Sequence, residues 1–193
     1  MITAILGLGN MGKGLVKRLE GKTDLVVSSR GTDISFQDAV NKADIVVLAL
    51  PYKSALEAAS TLDLSGKIVV DMSNPITADF SALLFGHTTS AAEEIARVAK
   101  GARVVKAFNT IFSSLFDIPA SATADVPVFI AGDDEAAVSA VADLALKAGF
   151  AVEKVGGLDG ARLVEPVGML NIRLGYGLGQ GTSIAPTWLK LAA

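Results

Sequence analysis

Residues Ile2 to Leu19, ITAILGLGNMGKGLVKRL, decide how the rest of the chain is read. The apolar run Ile2, Ala4, Ile5, Leu6 leads into Gly7-Leu8-Gly9-Asn10-Met11-Gly12, after which Leu15, Val16 and Leu19 recur at helical spacing. That is the pattern of a strand, a tight turn and a helix. Each glycine has its own reason to be there. Gly7 allows the turn, Gly9 lets the backbone lie against a pyrophosphate because it has no Cβ, and Gly12 lets the helix pack closely on the strand. The helix start adds unpaired N–H groups and the positive end of a macrodipole, both suited to phosphate. Glycines also collect in ordinary turns. The flanking strand and helix are what favour dinucleotide binding over a plain turn.

Composition bounds the alternatives. A chain of 193 residues, 51% hydrophobic and 19% charged, can bury a substantial core, and its length implies one domain, 1–193, with 157–193 as a C-terminal helical extension. A net charge of -3 with dispersed lysines and arginines offers no basic field to nucleic acid or to an anionic membrane. Cysteine is absent, which excludes disulfides, thiolate catalysis and zinc-thiolate sites. No basic region precedes the N-terminal apolar run, as a signal peptide requires, and no apolar stretch approaches the roughly 20 residues that span a bilayer. The expected location is the cytoplasm.

Along the chain, strand-like and helix-like segments alternate. Leu25 to Ser29 reads as a second strand, and Ser35-Phe36-Gln37-Asp38 as the capping pattern of a short helix. Ala43 to Leu50 is apolar throughout after Asp44, as in a strand buried on both faces. Pro51 stops it, and Ser54 to Leu62 carries a helix with Ser54 and Glu57 near its start. Lys67 to Asp71 is a fourth strand, Ser90 to Glu93 a second capping box, Ala102 to Ala107 and Val126 to Ala131 further strands, and Phe150 to Val155 a seventh. Asp133 reads as a helix N-cap, Ser113 to Asp125 as a mobile loop, and Ala161 to Leu178 as a helical segment interrupted by Pro166 and Gly168. The alternation predicts an α/β fold: a Rossmann-type doubly wound, mostly parallel sheet in a single domain with a C-terminal helical segment. Ligands then sit beyond the carboxyl ends of the strands, which selects the loops 7–12, 28–32, 50–54, 72–76 and 107–111.

The second of these loops bears on which dinucleotide is bound. NAD requires an acid about 20 residues past the glycines to hold the adenine ribose. This chain has Ser28-Ser29-Arg30-Gly31-Thr32 there, with no acid before Asp33. Arg30 can grip a 2'-phosphate with its planar fork, and Ser29 and Thr32 can donate hydroxyls to it. NADP(H) is therefore expected over NAD(H). The competing reading of Arg30 is a solvated surface arginine.

Taken together, GLGNMGKG, VSSR, VLALP, DMSNP, VVKAFNT, the GDD before a helix and RLVEPVGMLN resemble the NADPH-dependent F420 reductase family, over about Ile2 to Leu191. They are also similar to the NADPH-binding domain of the six-transmembrane metalloreductases. The resemblance implies NADP(H) lying across the glycine loop and Ser29-Arg30, with a deazaflavin (F420) or flavin ring stacked on its nicotinamide for hydride transfer. It implicates Gly7, Leu8, Asn10, Met11, Ser29, Arg30, Leu50, Pro51, Asn74, Pro75, Ala107, Phe108 and Asn109. Gly9, Gly12, Ser28 and Thr32 complete the expected cofactor-binding set from the loops already read. Asn109 stands where F420-using archaeal members carry a histidine, and in this it matches the metalloreductase-like members, leaving the acceptor open among F420, a flavin, a quinone or another small molecule.

Such a site needs no acid-base residue, because its work is to hold two rings in register. No catalytic residue and no metal ligand is expected. His87, the only histidine, reads as a surface or capping residue, and Asp133, Asp134 and Glu135 read as a helix cap with its dipole partners. Phe108 and Phe112 read equally well as stacking partners or as core. Asn74 and Asn109 read either as carboxamide contacts or as turn stabilisers. The apolar C-terminal segment, with Leu163, Val167, Leu170 and Leu174, needs a partner surface, and a homodimer is expected. Pyrroline-carboxylate reductases and hydroxyacid dehydrogenases start with a similar unit but require a sizeable second helical domain. The alternative function, from another class, is a redox sensor or module that holds NADP(H) without turnover.

Overall fold

Apolar runs too short for helices, and apolar on both faces, become the strands of one sheet. The computed structural model describes residues 1–189 and 191. In chain order the regular elements are β1 (Ile2–Leu6), α1 (Asn10–Leu19), β2 (Asp24–Ser28), α2 (Phe36–Lys42), β3 (Ile45–Leu48), α3 (Tyr52–Thr61), β4 (Ile68–Asp71), α4 (Ala91–Val98), β5 (Arg103–Lys106), α5 (Ala120–Thr123), β6 (Pro127–Gly132), α6 (Glu135–Lys147), β7 (Ala151–Lys154) and α7 (Ala161–Ile172). The strands form a seven-stranded sheet in the order β2-β1-β3-β4-β5-β6-β7. All neighbours are parallel except β5 and β6, which run antiparallel.

Strand alternation sorts the core into two layers, one on each face of the sheet. Ile5, Val47, Val70 and Val105 join residues of α1 and α6 on one face, while Ala4, Leu6, Val46, Leu48 and Val69 meet α2, α3 and α4 on the other. The chain winds from β1 outward to β2, then returns past β1 to β3, so the order in which strands are added reverses at β1. The two loops that leave this switch point part from each other and open a crevice at the carboxyl edge.

Four expectations are corrected. The N-cap of α6 is Asp134, whose side chain accepts the Ala137 N–H, whereas Asp133 accepts the Leu158 N–H at 2.8 Å. Helix α3 begins at Tyr52 directly after Pro51, so Ser54 lies inside it. Residues 113–125 are not a free loop. Arg18, itself buried, donates from Nε to Phe116 O (2.9 Å) and from Nη2 to Leu115 O (2.7 Å) and Ile118 O (2.6 Å), pinning the segment to α1.

Pro166 and Gly168 do not interrupt α7. Pro166 forfeits one backbone hydrogen bond, and the helix is held by its side-chain contacts instead. Arg162 Nε donates to Glu93 Oε2 at 2.9 Å, and Asn171 Nδ2 to Thr110 O at 3.0 Å. After α7 the chain makes a wide π-type turn, Arg173–Gly177, and then runs without regular structure. Lys190, Ala192 and Ala193, at the end of the expected 157–193 extension, lie outside the described residues.

Candidate active site

The glycine loop lies at the switch point. Gly7 takes φ +103°, and a Cβ there would meet Ala49 O at 2.5 Å. A Cβ on Gly12 would lie 2.0 Å from Gly7 O, so only glycine lets α1 start this close to the turn. Gly9 is different: a Cβ there would meet nothing within 4 Å. It is the N-cap of α1 and offers no side-chain cap, whereas Ser35, Ser90 and Asp134 cap α2, α4 and α6. The first turn of α1 holds no acid, which leaves its dipole end without a negative partner.

At the end of β2, Ser28 is buried and its hydroxyl donates to Ile34 O at 2.6 Å. Thr32 Oγ1 accepts the Ser29 N–H and donates to Ser29 O, both at 2.9 Å. These two hydroxyls therefore build the turn, and Arg30 stands exposed on it.

A cleft of about 600 Å³ opens from the glycine loop along the carboxyl ends of β3, β4 and β5. It brings together Gly9, Asn10, Met11, Leu50, Pro51, Asn74, Phe108 and Asn109 from the expected set. The Ser28–Thr32 turn lies outside this cleft, beyond β2. Pro75 and Ala107 are buried, and their backbones are engaged: Pro75 O accepts the Leu84 N–H, and the Ala107 N–H donates to Asp71 O. Leu8 is half-buried and lies outside the cleft lining.

Phe108 and Phe112, the two aromatics read as stacking or core, are packed into the core at 0% and 6% exposure and also line the cleft. Phe108 holds a left-handed φ of 63°, uncommon for a bulky residue. The aromatics open to the cleft are Tyr52, Phe80 and Tyr176, which sequence reasoning missed. Phe80 and Tyr176 lie where no periodic pattern marks a face, so only their surroundings could have identified them.

Beneath the cleft sits a buried ion cluster. Lys106 Nζ contacts Asp71 Oδ2 at 2.8 Å and Glu165 Oε1 at 2.7 Å, with all three side chains at most 1% exposed. Glu165 also accepts the Ala91 N–H at 3.0 Å, so it closes the start of α4 as well. Asp71 Oδ1 accepts the Ser73 N–H at 2.8 Å. Burial opposes the Lys106 charge, yet Asp71 and Glu165 outweigh it and hold the ammonium above its usual range. Burial raises the Glu165 carboxyl against the pull of Lys106. The signal in the sequence was a charge closing an apolar run, as Asp71 closes IVVD and Lys106 closes RVVK. A group of three or more His, Cys, Asp or Glu able to hold a metal ion is absent among the described residues. No described helix is long and apolar enough to cross a membrane.

A family model described as NADP oxidoreductase, coenzyme F420-dependent, matches residues 26–75. The F420-dependent NADP reductase of Methanocaldococcus jannaschii is 29% identical, the match covering 99% of this chain and 100% of that one. The chain is similar to the F420-dependent NADP reductases over nearly its whole length. A structure from Arthrobacter sp. FB24, described as an F420-dependent NADP-reductase, superposes with a TM-score of 0.79 at 29% identity, over 93% of this chain and 96% of that one. The metalloreductase STEAP3 of Rattus norvegicus is 32% identical over 84% of this chain, which spans 35% of it. The match to these oxidoreductases thus extends over the glycine loop, the cleft and α7 together.

Proposed function

We propose that the chain is an NADP(H)-dependent oxidoreductase that passes hydride between the nicotinamide and a planar flavin or deazaflavin acceptor. The observation that carries this reading is continuity: Gly9, Asn10 and Met11 of the glycine loop line the same cavity as Asn74, Phe80 and Tyr176. A dinucleotide and a second planar ring can therefore meet within one cleft. The residues present fit the dinucleotide. The open side of Gly9 leaves room for a pyrophosphate that any side chain would crowd, and the first turn of α1 offers it N–H groups without a competing acid. Exposed Arg30 supplies the cation for a 2'-phosphate.

Bound NADPH supplies the hydride. The protein's own contribution is orientation, which can lower a barrier by roughly 7 to 11 kcal/mol when two rings are held in register. Leu50, Pro51, Asn74 and Asn109 line the cleft, and Tyr52, Phe80 and Leu84 make it apolar enough to limit water.

The test is to mix purified protein with NADPH and FMN, riboflavin, F420 or a quinone and follow the reduced-nicotinamide absorbance. Oxidation with a flavin or F420 supports the reading. Tight NADPH binding without oxidation by any acceptor supports the sensor alternative. Arg30→Ala tests the cofactor preference separately, because loss of one charge-assisted contact lowers the NADPH-to-NADH affinity ratio by about one to two decades. A homodimer belongs to the same proposal. Leu163 and Leu170, seven residues apart on α7, are 70% and 55% exposed and present an apolar face that a second copy would cover.

A further inference from the structure

Phe80 and Tyr176 are among the largest apolar side chains left exposed, at 62% and 67%, and both line the cleft. They come from distant parts of the chain, Phe80 from the turn after β4 and Tyr176 from the π-type turn after α7. Leaving one aromatic in water is common. Leaving two at one cavity forgoes a substantial burial gain at a place where the fold offers each ring a nearby core.

The backbone that carries each ring is fixed. Phe80 has φ 58°, a conformation that bulky residues avoid. The turn that holds it there is closed by Asp79 Oδ1, which accepts from the Thr77 hydroxyl, from Ser81 N–H at 3.2 Å and from Ser81 Oγ at 2.8 Å. An antiparallel bridge between Ile76 and Leu83 ties its base. Tyr176 stands edge-on to Phe112, with centroids 5.5 Å apart and planes at 90°. The backbone beneath it is pressed onto that ring, since a Cβ on Gly175 would lie 2.6 Å from Phe112 Cζ. Tyr176 therefore has a fixed base and a free face.

We infer that Phe80 and Tyr176 are stacking residues that grip the planar tricyclic ring of the acceptor, an isoalloxazine or its 5-deaza counterpart. The cavity volume, about 600 Å³, lies in the range that holds a whole drug-sized ligand, more than a nicotinamide ring alone requires. A dinucleotide laid on the glycine loop would bring its nicotinamide end into the same cleft, which Gly9, Asn10 and Met11 also line. What remains is a slot edged by π faces and apolar side chains, which suits a large flat ring better than a small polar substrate. The two aromatics have this role only if the cleft holds such an acceptor, as proposed above, and the experiment separates the two ideas.

Protein loaded with NADP+ is titrated with riboflavin and, in a parallel arm, with F420, and quenching of the ring fluorescence reports stacking. NADP+ affinity is measured by itself by calorimetry. Phe80→Ala and Tyr176→Ala are each expected to weaken ring binding about tenfold, ~1.4 kcal/mol, and to relieve the quenching. NADP+ affinity stays unchanged in both, and melting temperature stays unchanged in Phe80→Ala and falls only slightly in Tyr176→Ala, which loses its edge-on contact with Phe112. Phe80→Tyr and Tyr176→Phe retain binding. Alanine variants that bind either ring as tightly as the parent protein overturn the inference. A parent protein that binds neither ring overturns the acceptor reading along with it, and only loss of NADP+ binding touches the dinucleotide reading.

Discussion

Asn74 and Asn109 hold each other across the carboxyl ends of β4 and β5. Asn109 Nδ2 donates to Asn74 Oδ1 at 3.0 Å, and Asn74 Nδ2 donates to Asn109 O at 2.8 Å. Asn109 Nδ2 gives its second hydrogen to Val164 O at 2.9 Å, which joins the pair to α7. Both hydrogens of that amide face acceptors, so its orientation follows from the partners. The pair is packed directly under Gly168, where a Cβ would lie 2.7 Å from Asn74 Oδ1 and 2.9 Å from Asn109 Nδ2.

Gly168→Ala therefore forces α7 away from the asparagines or breaks their bonds. Overpacking of this kind costs about 1–3 kcal/mol, which in a chain this long is a fall of several degrees in thermal midpoint. Calorimetric melting measures it. An unchanged midpoint means that α7 can shift freely over the pair.

The two glycines at the start of α1 separate folding from binding. Gly9→Ala adds a methyl group in open space and lowers stability by about 1 kcal/mol or less, the usual effect of a poorer N-cap. Its effect falls on NADP+ affinity, which drops at least tenfold if a pyrophosphate lies there. Gly12→Ala, with its Cβ 2.0 Å from Gly7 O, lowers both affinity and melting temperature. Melting curves and NADP+ titrations on the two variants decide the matter, and unaltered affinity in Gly9→Ala counts against the pyrophosphate placement.

Lys106→Met leaves Asp71 and Glu165 as two buried carboxylates without their cation. Breaking a buried pair in this way costs about 3–5 kcal/mol. Unpaired buried carboxyls bind protons in the folded state that they release on unfolding, so the variant gains stability as pH falls toward the ordinary carboxylate range. Adding Asp71→Asn and Glu165→Gln removes the stranded charges and recovers part of the loss. Urea unfolding of the single and triple variants at neutral and mildly acidic pH tests this, and equal loss in both would contradict it.

Glu93 and Arg162 fasten α4 to α7 and make a second, opposite pH dependence. Hydrogen bonds from Arg162, working against partial burial and helped by Ser90, hold the Glu93 carboxyl below its ordinary value of 4.5. A lowered carboxyl releases its proton more readily when folded than when unfolded. Its stabilising effect is therefore complete above pH 4.5 and is lost as pH falls from there through the folded value. Unfolding midpoints between neutral pH and pH 3 should decline less steeply in Glu93→Gln than in the parent protein.

The sequence alone determined the elements whose cause is local. Strand runs such as IVVL, the caps at Ser35 and Ser90, and the glycine spacing from Gly7 to Gly12 act within a few residues, so period and turn chemistry reveal them. The switch point at β1 and β3 follows from right-handed connections once those elements are known. It was equally readable that loops 7–12, 50–54, 72–76 and 107–111 share one edge. Tertiary structure alone decided which side chains on that edge face the cleft. Phe108 and Phe112 line the cleft from within the core, while Phe80 and Tyr176 stand exposed at it, because neighbours far away in the chain fill one space and leave the other. The Asp71–Lys106 pair spans 35 residues, and the Arg18 bond that packs 113–125 spans 98. No local period encodes contacts of that reach. They exist only once the sheet has brought the segments together, and it is these contacts that shape the cleft.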